Sequence, residues 1–234
     1  MSQPFDPARD LADAPRADTR QRTKDAATLI LTRGCDHPEV LMGRRAPGHV
    51  FMASRWVFPG GRIDRADHTA SAADDLSPTT AQALAREMPE GRARALALTA
   101  IRETFEETGL MLARSAPPAS VAGPWREFRA AGALPTLAPL EYIARAVTPP
   151  GRTRRFDARF FMAPAEALLH PEPTAGSGEL DEIAWLTIDD ALALDPPAIT
   201  RFVLGEIAER LAGKAPARPL VRMVRGKHVI ARED

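Results

Sequence analysis

The chain of 234 residues contains a single cysteine, Cys35, and no asparagine. One cysteine excludes an internal disulfide framework and any metal site built from several thiolates. It also makes a reducing cytoplasm the expected location. No apolar run approaches the roughly 20 residues that a membrane-spanning helix needs, and the N-terminus lacks the apolar segment of a signal peptide. We therefore expect no membrane partner.

Neither sign of charge is in excess, because 31 Lys and Arg residues balance 31 Asp and Glu residues. A balanced charge gives the whole protein no general attraction to nucleic acid, so no nucleic-acid partner is expected. Hydrophobic residues at 44% and charged residues at 26% exclude disorder as the dominant state. The length is enough for one large domain with a sizeable core.

Strand and helix patterns are mixed along the chain without a regular alternation, which predicts an α/β or α+β domain. Residues 1–23 are polar and interrupted by prolines, which predicts a flexible leader. Strands are predicted at Lys24–Arg33, Glu39–Arg45, Leu140–Val147, Ala158–Met162 and Ile183–Leu186, with a weak edge strand in Arg218–Asp234. Helices are predicted at about 78–88, Ala93–Thr108, Ile188–Leu194 and Ile199–Leu211, with a short one from Ala163.

Three glutamates near the middle of the chain, Glu103, Glu106 and Glu107, stand at helical spacing. On a helix they fall within about 100° of one another, while Leu98 and Phe105 lie on the opposite side. One side can therefore pack on a sheet while the other gathers carboxylates. Such like charges repel, so they need a cation or full solvation. Mg²⁺ takes carboxylate oxygens, which makes a metal site one interpretation and a solvated acidic face the other.

A second motif precedes this helix, where the apolar stretch Trp56–Phe58 runs into Pro59-Gly60-Gly61. Glycine lets the backbone approach a ligand closely, although a glycine pair alone is also an ordinary turn. Arg102 stands four residues before Glu106, a spacing at which it can hold that carboxylate. The glycine pair followed by this arginine and the glutamates forms a more specific pattern than either motif alone.

Six positions of the glutamate segment match one known motif: Arg102, Glu103, Glu106, Glu107, Gly109 and Leu110. Gly61 matches its leading glycine, and Asp67 stands where it has glutamate. On these residues the sequence resembles the Nudix hydrolase family. In the family box seven residues separate the two halves, whereas here 34 separate Asp67 from Arg102. This interrupted box is similar to the branch related to peroxisomal coenzyme A diphosphatases, whose box is also split.

The resemblance implies a Nudix-like α/β/α sandwich with a mixed β-sheet, as a single domain over 24–234 with helical insertions at about 65–92 and 115–139. It implies Mg²⁺ or Mn²⁺ as cofactor, held by the carboxylates of Glu103, Glu106 and Glu107 and by the Gly61 carbonyl. Glu106 would be a metal ligand or the base that activates water. Arg102 would orient the glutamates and completes the catalytic set.

Several other residues are weaker candidates. Asp67, Glu179 and Glu182 could supply an additional carboxylate, although an acidic loop is the simpler interpretation of the last two. Arg44 and Arg62 could contact a substrate phosphate, although each could equally be an ordinary surface arginine.

The resemblance also implies an activity: hydrolysis of a phosphoanhydride in a nucleoside diphosphate linked to another group. The split box favours coenzyme A or acyl-coenzyme A as substrate, giving 3′,5′-ADP and (acyl-)4′-phosphopantetheine. ADP-ribose or a nucleotide sugar remains an alternative substrate, and a catalytically inactive ligand-sensing module remains an alternative function. The oligomeric state, including a homodimer, stays open.

Overall fold

The computed structural model describes residues 5–6, 17–19, 21–47, 54–174, 177–214 and 217–233. The strands are β1 (Lys24–Arg33), β2 (Glu39–Arg45), β3 (Trp56–Val57), β4 (Gly60–Arg62), β5 (Ala113–Ser115), β6 (Ala133–Pro135), β7 (Glu141–Val147), β8 (Phe156–Pro164), β9 (Leu180–Thr187), β10 (Arg218–Val224) and β11 (Lys227–Glu233). The helices are α1 (Pro78–Ala85), α2 (Glu90–Thr108), α3 (Arg126–Ala130), α4 (Ile188–Ala193) and α5 (Ala198–Leu211). Short 3₁₀ turns occupy Arg65–His68, Gly123–Trp125 and Ala165–Ala167.

Nine of these strands form one mixed sheet: seven follow the order β11-β10-β7-β8-β1-β2-β3, β4 pairs with β1, and β9 pairs with β2. β1 runs parallel to β8, and β10 runs parallel to β7, whereas the other neighbours are antiparallel. β5 and β6 form a separate small hairpin. The predicted mixed sheet is therefore confirmed.

Helices cover both faces of the large sheet, because the strands bury alternate side chains in opposite directions. On β1, Leu29 and Leu31 join a core with α2, whereas Ile30 joins a second core with α5. All three side chains are fully or almost fully buried, and each contributes about 1.5–3 kcal/mol through removal of its apolar surface from water. This confirms the predicted α/β/α arrangement.

β1 divides its hydrogen bonds between two partners, and this division opens the sheet beside the glutamates. It pairs with β2 at Thr32 and Arg33 only, whereas β4 takes the positions from Ala26 to Thr28. β2 continues away from β1, pairing with β9 along its length and with β3 at its far end. The Gly60–Gly61 backbone is therefore held on β1 and lies against α2.

Most predicted elements occur where the sequence placed them, with shifts at their ends. The first helix begins at Pro78, with Ser77 as its N-cap, but it ends at Ala85 rather than near 88. α2 begins three residues earlier than predicted, at Glu90. The C-terminal segment was expected to add one edge strand, but it forms the two-stranded hairpin β10–β11. The turn at Gly226 has a positive φ, which reverses the chain within the weakly alternating segment.

The predicted insertions contain regular structure. Residues 65–92 hold one 3₁₀ turn, α1 and the start of α2, and residues 115–139 hold another 3₁₀ turn, α3 and β6. The predicted leader over 1–23 lies largely outside the described residues. Within the described part of the chain, no helix combines the length and apolarity needed to cross a bilayer.

Candidate active site

The glutamate-bearing helix α2 has a fixed C-terminal end. Gly109 adopts φ 74°, a left-handed conformation that closes the helix, and its N–H donates to the Phe105 carbonyl. A side chain at Gly109 would overlap the hydroxyl of Thr174. The loop before β9 also satisfies helix carbonyls, since Thr174 N donates to Thr108 O at 2.9 Å and Ser177 N to Glu106 O at 2.7 Å. This loop continues to Glu179.

Arg102 organises two of the three glutamates. It is buried, and its Nη1 donates to Glu103 Oε1 at 2.8 Å and to Glu106 Oε2 at 3.0 Å. Its Nη2 donates to the Arg62 carbonyl and to Asp67 Oδ2, and its Nε donates to Asp67 Oδ1. All five guanidinium N–H groups can be satisfied by these acceptors. Arg102 thus directs its donors to carboxyl groups and one carbonyl and has none left for a substrate, while its predicted role in catalysis stays a prediction.

The glycine pair lies directly against the glutamates. Gly60 N donates to Glu107 Oε2 at 3.0 Å. A Cβ built on Gly61 would overlap the carboxyl group of Glu103, so only glycine leaves room for that side chain. The backbone of β4 and the carboxylates of α2 therefore meet in one place, where the sequence predicted a metal site.

Glu179 extends this group to four carboxyls. Its carboxyl group raises the pKa of both Glu107 and Glu103, which places it beside them. We name Glu103, Glu106, Glu107 and Glu179 the glutamate cluster. Arg102 pairs with Glu103 and Glu106, and the positive charge of Arg45 also acts on Glu107.

The cluster is short of positive charge. Burial raises the pKa of Glu103 and of Glu106 above the ordinary value, against the opposing effect of Arg102. Burial raises the pKa of Glu107 well above its ordinary value, and the facing Glu179 carboxyl raises it further. Glu107 Oε1 is buried with no hydrogen-bond donor among the described residues. Buried acceptors without donors are costly, and a cation would relieve that cost.

These residues fit a hard divalent ion. They offer carboxylate oxygens, an orphaned buried oxygen atom and a neighbouring backbone, which is the donor chemistry that Mg²⁺ and Mn²⁺ take. Among the described residues, however, no three acidic, His or Cys side chains are already gathered around one ion position. Arg102 holds Glu103 and Glu106 in part, so their carboxyl groups would need to turn toward an ion.

Asp67 does not lie where it could serve as the additional metal-binding carboxylate that the sequence suggested. It is fully buried, and Arg102, Trp125, Thr99 and the Asp64 backbone N–H all donate to it. Each of its oxygen atoms accepts at least two hydrogen bonds. Asp67 is therefore an anchor for Arg102, and neither oxygen is open to an ion.

The other candidates lie outside the glutamate cluster. Arg44 donates to Asp181 at 2.9 Å, and its Nη1 lies 3.1 Å from Glu182 Oε2. A substrate phosphate would have to compete with both carboxylates for Arg44, and Glu182 is not brought to the cluster. Arg62 is exposed at the end of β4, where its carbonyl oxygen accepts from Arg102. Substrate contacts by Arg44 and Arg62 stay predictions.

Sequence reasoning missed two residues of this site. Thr99 donates to Asp67 from α2 itself, and Trp125 donates from the segment before α3. Thr99 stands eight residues before Glu107, so helical periodicity could have suggested it. Nothing in the sequence around Trp125 indicates that contact, because 57 residues separate it from Asp67.

Comparison with known proteins agrees with this geometry. No family model matches the chain. The chain is 27% identical over 251 residues to the acyl-coenzyme A diphosphatase NUDT19 of Gallus gallus, covering 79% of this chain and 64% of that protein. It thus spans less than two thirds of that relative's length. A NUDIX hydrolase from Alicyclobacillus acidocaldarius superposes with a TM-score of 0.60 at 29% identity, covering 80% of this chain and 92% of that one.

The chain therefore has the Nudix hydrolase fold, as the split motif predicted. The predicted resemblance to the coenzyme A diphosphatase branch is confirmed by the similarity to the Gallus gallus protein. The first relative is named as a diphosphatase and the second as a hydrolase.

Proposed function

We propose that this protein is a divalent-metal-dependent diphosphohydrolase whose substrate is coenzyme A or acyl-coenzyme A. The observation that carries the proposal is the glutamate cluster, in which four carboxyls are gathered with one arginine and Glu107 Oε1 has no donor. A solvated acidic face would not bury Glu107, which is 2% exposed. A single cysteine supports a reducing compartment such as the cytoplasm as its location.

The residues of the glutamate cluster would bind the metal ion, and Arg102 would orient them. Glu103, Glu106 and Glu107, with the Gly61 carbonyl, would hold Mg²⁺ or Mn²⁺, and Glu179 is the best-placed additional carboxylate. The bound ion would supply charge neutralisation for the diphosphate and a more acidic attacking water. Arg102 fixes the carboxyl groups without touching the substrate.

Glu106 is the best placed of the three helix glutamates to take a proton. Its side chain is 34% exposed, against 14% for Glu103, so it alone combines contact with Arg102 and ready access to solvent. A water proton would pass to its carboxylate as the water oxygen attacks one phosphorus of the anhydride. The P–O bond to the bridging oxygen would break, and that oxygen would leave on the other product.

The substrate proposal is supported by the similarity to an acyl-coenzyme A diphosphatase and by the interrupted motif. Cleavage of the coenzyme A diphosphate would give 3′,5′-ADP and 4′-phosphopantetheine, or its acyl derivative. The test incubates the purified protein with coenzyme A, an acyl-coenzyme A, ADP-ribose and nucleotide sugars, each with Mg²⁺ or Mn²⁺, and identifies products by mass spectrometry.

Release of both expected products, abolished by EDTA and restored by added metal, is the expected result. Cleavage of ADP-ribose or a nucleotide sugar alone would keep the reaction and overturn the substrate. Nucleotide binding without any cleavage would overturn the enzyme and favour a ligand-sensing module. Glu106→Gln serves as the matched control, because it removes one charge from the cluster while keeping the side-chain shape.

A further inference from the structure

One indole group connects the segment between β5 and β6 to the glutamate cluster. Trp125 is 4% exposed, and its Nε1 donates to Asp67 Oδ1 at 3.0 Å. Asp67 in turn receives two N–H groups of Arg102, each at 2.9 Å. Arg102 then contacts Glu103 and Glu106 through its remaining Nη1. The glutamates thus stand three contacts away from Trp125.

This chain of contacts transmits orientation, because the guanidinium group is planar and its donors are fixed relative to one another. With Nε and Nη2 seated on Asp67, the position of Nη1 is determined. A rotation of the Asp67 carboxyl plane would therefore move Nη1 away from Glu103 and Glu106. Whatever holds the Asp67 carboxyl plane also holds the glutamates.

Besides Arg102, two side chains donate to Asp67, and Trp125 is the one that the structure shows with a single acceptor. The Thr99 hydroxyl lies 2.8 Å from Asp67 Oδ2, but it lies equally close to the Ala95 carbonyl. A hydroxyl has one hydrogen, so Thr99 divides it between the two acceptors. The indole N–H of Trp125 has Asp67 as its acceptor and fixes Oδ1.

The same segment packs on α2 at a second point. Phe128 is fully buried, and its ring makes edge contacts at 5.2 Å with both Trp125 and Phe105. Phe105 lies on α2 between the glutamates, on the opposite side of the helix. Phe128 therefore packs on the side of α2 opposite the glutamates, while Trp125 bonds to Asp67. These two contacts fix the orientation of the segment relative to α2.

We propose that Trp125 is a positioning residue that sets the geometry of the metal-binding glutamates through Asp67 and Arg102. The proposal rests on the proposed function for its catalytic readout. It gives the residues between β5 and β6 an indirect part in metal binding, although they lie outside the motif.

The test is Trp125→Phe, which removes the indole N–H and keeps an aromatic ring against Phe128. We expect Mn²⁺ affinity, measured by calorimetry on the metal-free protein, to fall about tenfold, as is usual when a group supporting metal ligands is lost. We expect kcat to fall by a similar factor with KM nearly unchanged, because Trp125 does not touch the substrate.

The matched control is Tyr142→Phe. Tyr142 also donates from a buried aromatic ring to a carboxylate, Glu87 Oε1 at 2.6 Å, and that carboxylate also pairs with arginines. It therefore removes a comparable hydrogen bond without contact with the glutamate cluster. We expect it to lower the melting temperature at least as much as Trp125→Phe while Mn²⁺ affinity and kcat stay unchanged.

A Trp125→Phe protein that loses only thermal stability, as the control does, would overturn the inference. Combination with Asp67→Asn gives a second test, because the loss of Mn²⁺ affinity from Trp125→Phe should disappear when Asp67 is already altered. Full additivity of the two losses would also overturn the inference. A wild-type protein that binds Mn²⁺ but cleaves no substrate would overturn the proposed function, while the affinity comparison would still decide the inference.

Discussion

Two groups of charged side chains lie along α2, and they differ in how far opposite charges balance. Near its beginning, three carboxylates (Asp25, Glu87 and Asp157) meet three arginines (Arg92, Arg145 and Arg159), a group that we name the arginine network. Near its end, Arg102 pairs with two of the four carboxyls of the glutamate cluster, those of Glu103 and Glu106. The same helix therefore borders a neutralised group and an acidic one.

The pKa values of Asp157 and Glu107, one carboxyl from each group, shift in opposite directions. Although burial raises the pKa of Asp157, its hydrogen bonds from Arg145 and the charge of Arg159 lower it overall. Burial raises the pKa of Glu107 well above its ordinary value, and the charge of Arg45 offsets this rise only in part. A protein gains stability from carboxylates that its arginines neutralise, and it tolerates unbalanced ones where a cation binds. The balance of charge therefore separates the arginine network, which stabilises the fold, from the glutamate cluster, which has the properties of a cation site.

The largest expected effect separates the two groups by activity. Glu106→Gln should lower turnover at least about a hundredfold, because an amide can neither take the proton of the attacking water nor offer the metal ion a charged oxygen. The fold should stay intact, since the substitution preserves shape and relieves repulsion within the cluster. Steady-state kinetics with circular dichroism on the same sample would measure both. Near-wild-type turnover would remove Glu106 from the catalytic set.

The converse substitution in the arginine network should act on stability. Arg159 is almost fully buried and contacts Glu87 and Asp157, so Arg159→Met would leave buried carboxylates without their shared partner. We expect the free energy of unfolding to fall by about 3–5 kcal/mol. Denaturant unfolding would measure the loss. Activity per folded molecule should persist at low temperature, and its disappearance would show that the network also supports the site.

A divalent metal ion should stabilise the folded protein through the glutamate cluster and not through the arginine network. At a free Mg²⁺ or Mn²⁺ concentration of about 100 times its dissociation constant, binding should add about 2.7 kcal/mol to the free energy of unfolding. Glu107→Gln should raise the stability of the metal-free protein, because it removes a buried charge whose Oε1 has no donor among the described residues. It should also reduce the stabilisation by metal. Thermal melts with EDTA and with added metal would test both. Equal metal responses in the two proteins would exclude Glu107 as a ligand.

The smallest expected effect is the loss of stability at low pH that the protonation of Asp157 causes. The pKa of Asp157 is lower in the folded protein than its ordinary value of 3.8, so its contribution to stability is complete above that value. The contribution should be lost as the pH falls through the lowered pKa. Denaturant unfolding at pH 7 and below pH 4 would measure it. Asp157→Asn should show a weaker acid dependence, and an unchanged dependence would contradict the assignment.

Most of the fold could be predicted because its elements carry local patterns. The run from Lys24 to Arg33 predicts β1 with its observed bounds, and Ser77-Pro78 predicts the start of α1. The ends of helices were predicted less well, since capping at Pro89 involves no side-chain hydrogen bond that would mark it. The C-terminal hairpin was missed because its alternation is weak.

The site could be predicted only in part, because only some of its residues belong to a local sequence pattern. The three helix glutamates are neighbours on one helix, so their spacing alone brings them together. Asp67 could be named, but its burial and its bonds to Arg102 depend on how the 3₁₀ turn at Arg65–His68 packs on α2. Trp125 carries no local sign of its role, because its acceptor comes from a distant part of the chain.

The sequence by itself determined the helical face of Glu103, Glu106 and Glu107, the glycine pair, and the class of fold, because each follows from local spacing and a recognisable motif. Only the tertiary structure decided which carboxylates have partners. It assigned Asp67 to Arg102, brought Glu179 to Glu107, and paired Glu182 with Arg44 instead. Pairing between distant charges depends on distances of a few ångströms between packed elements, and sequence spacing does not fix those distances.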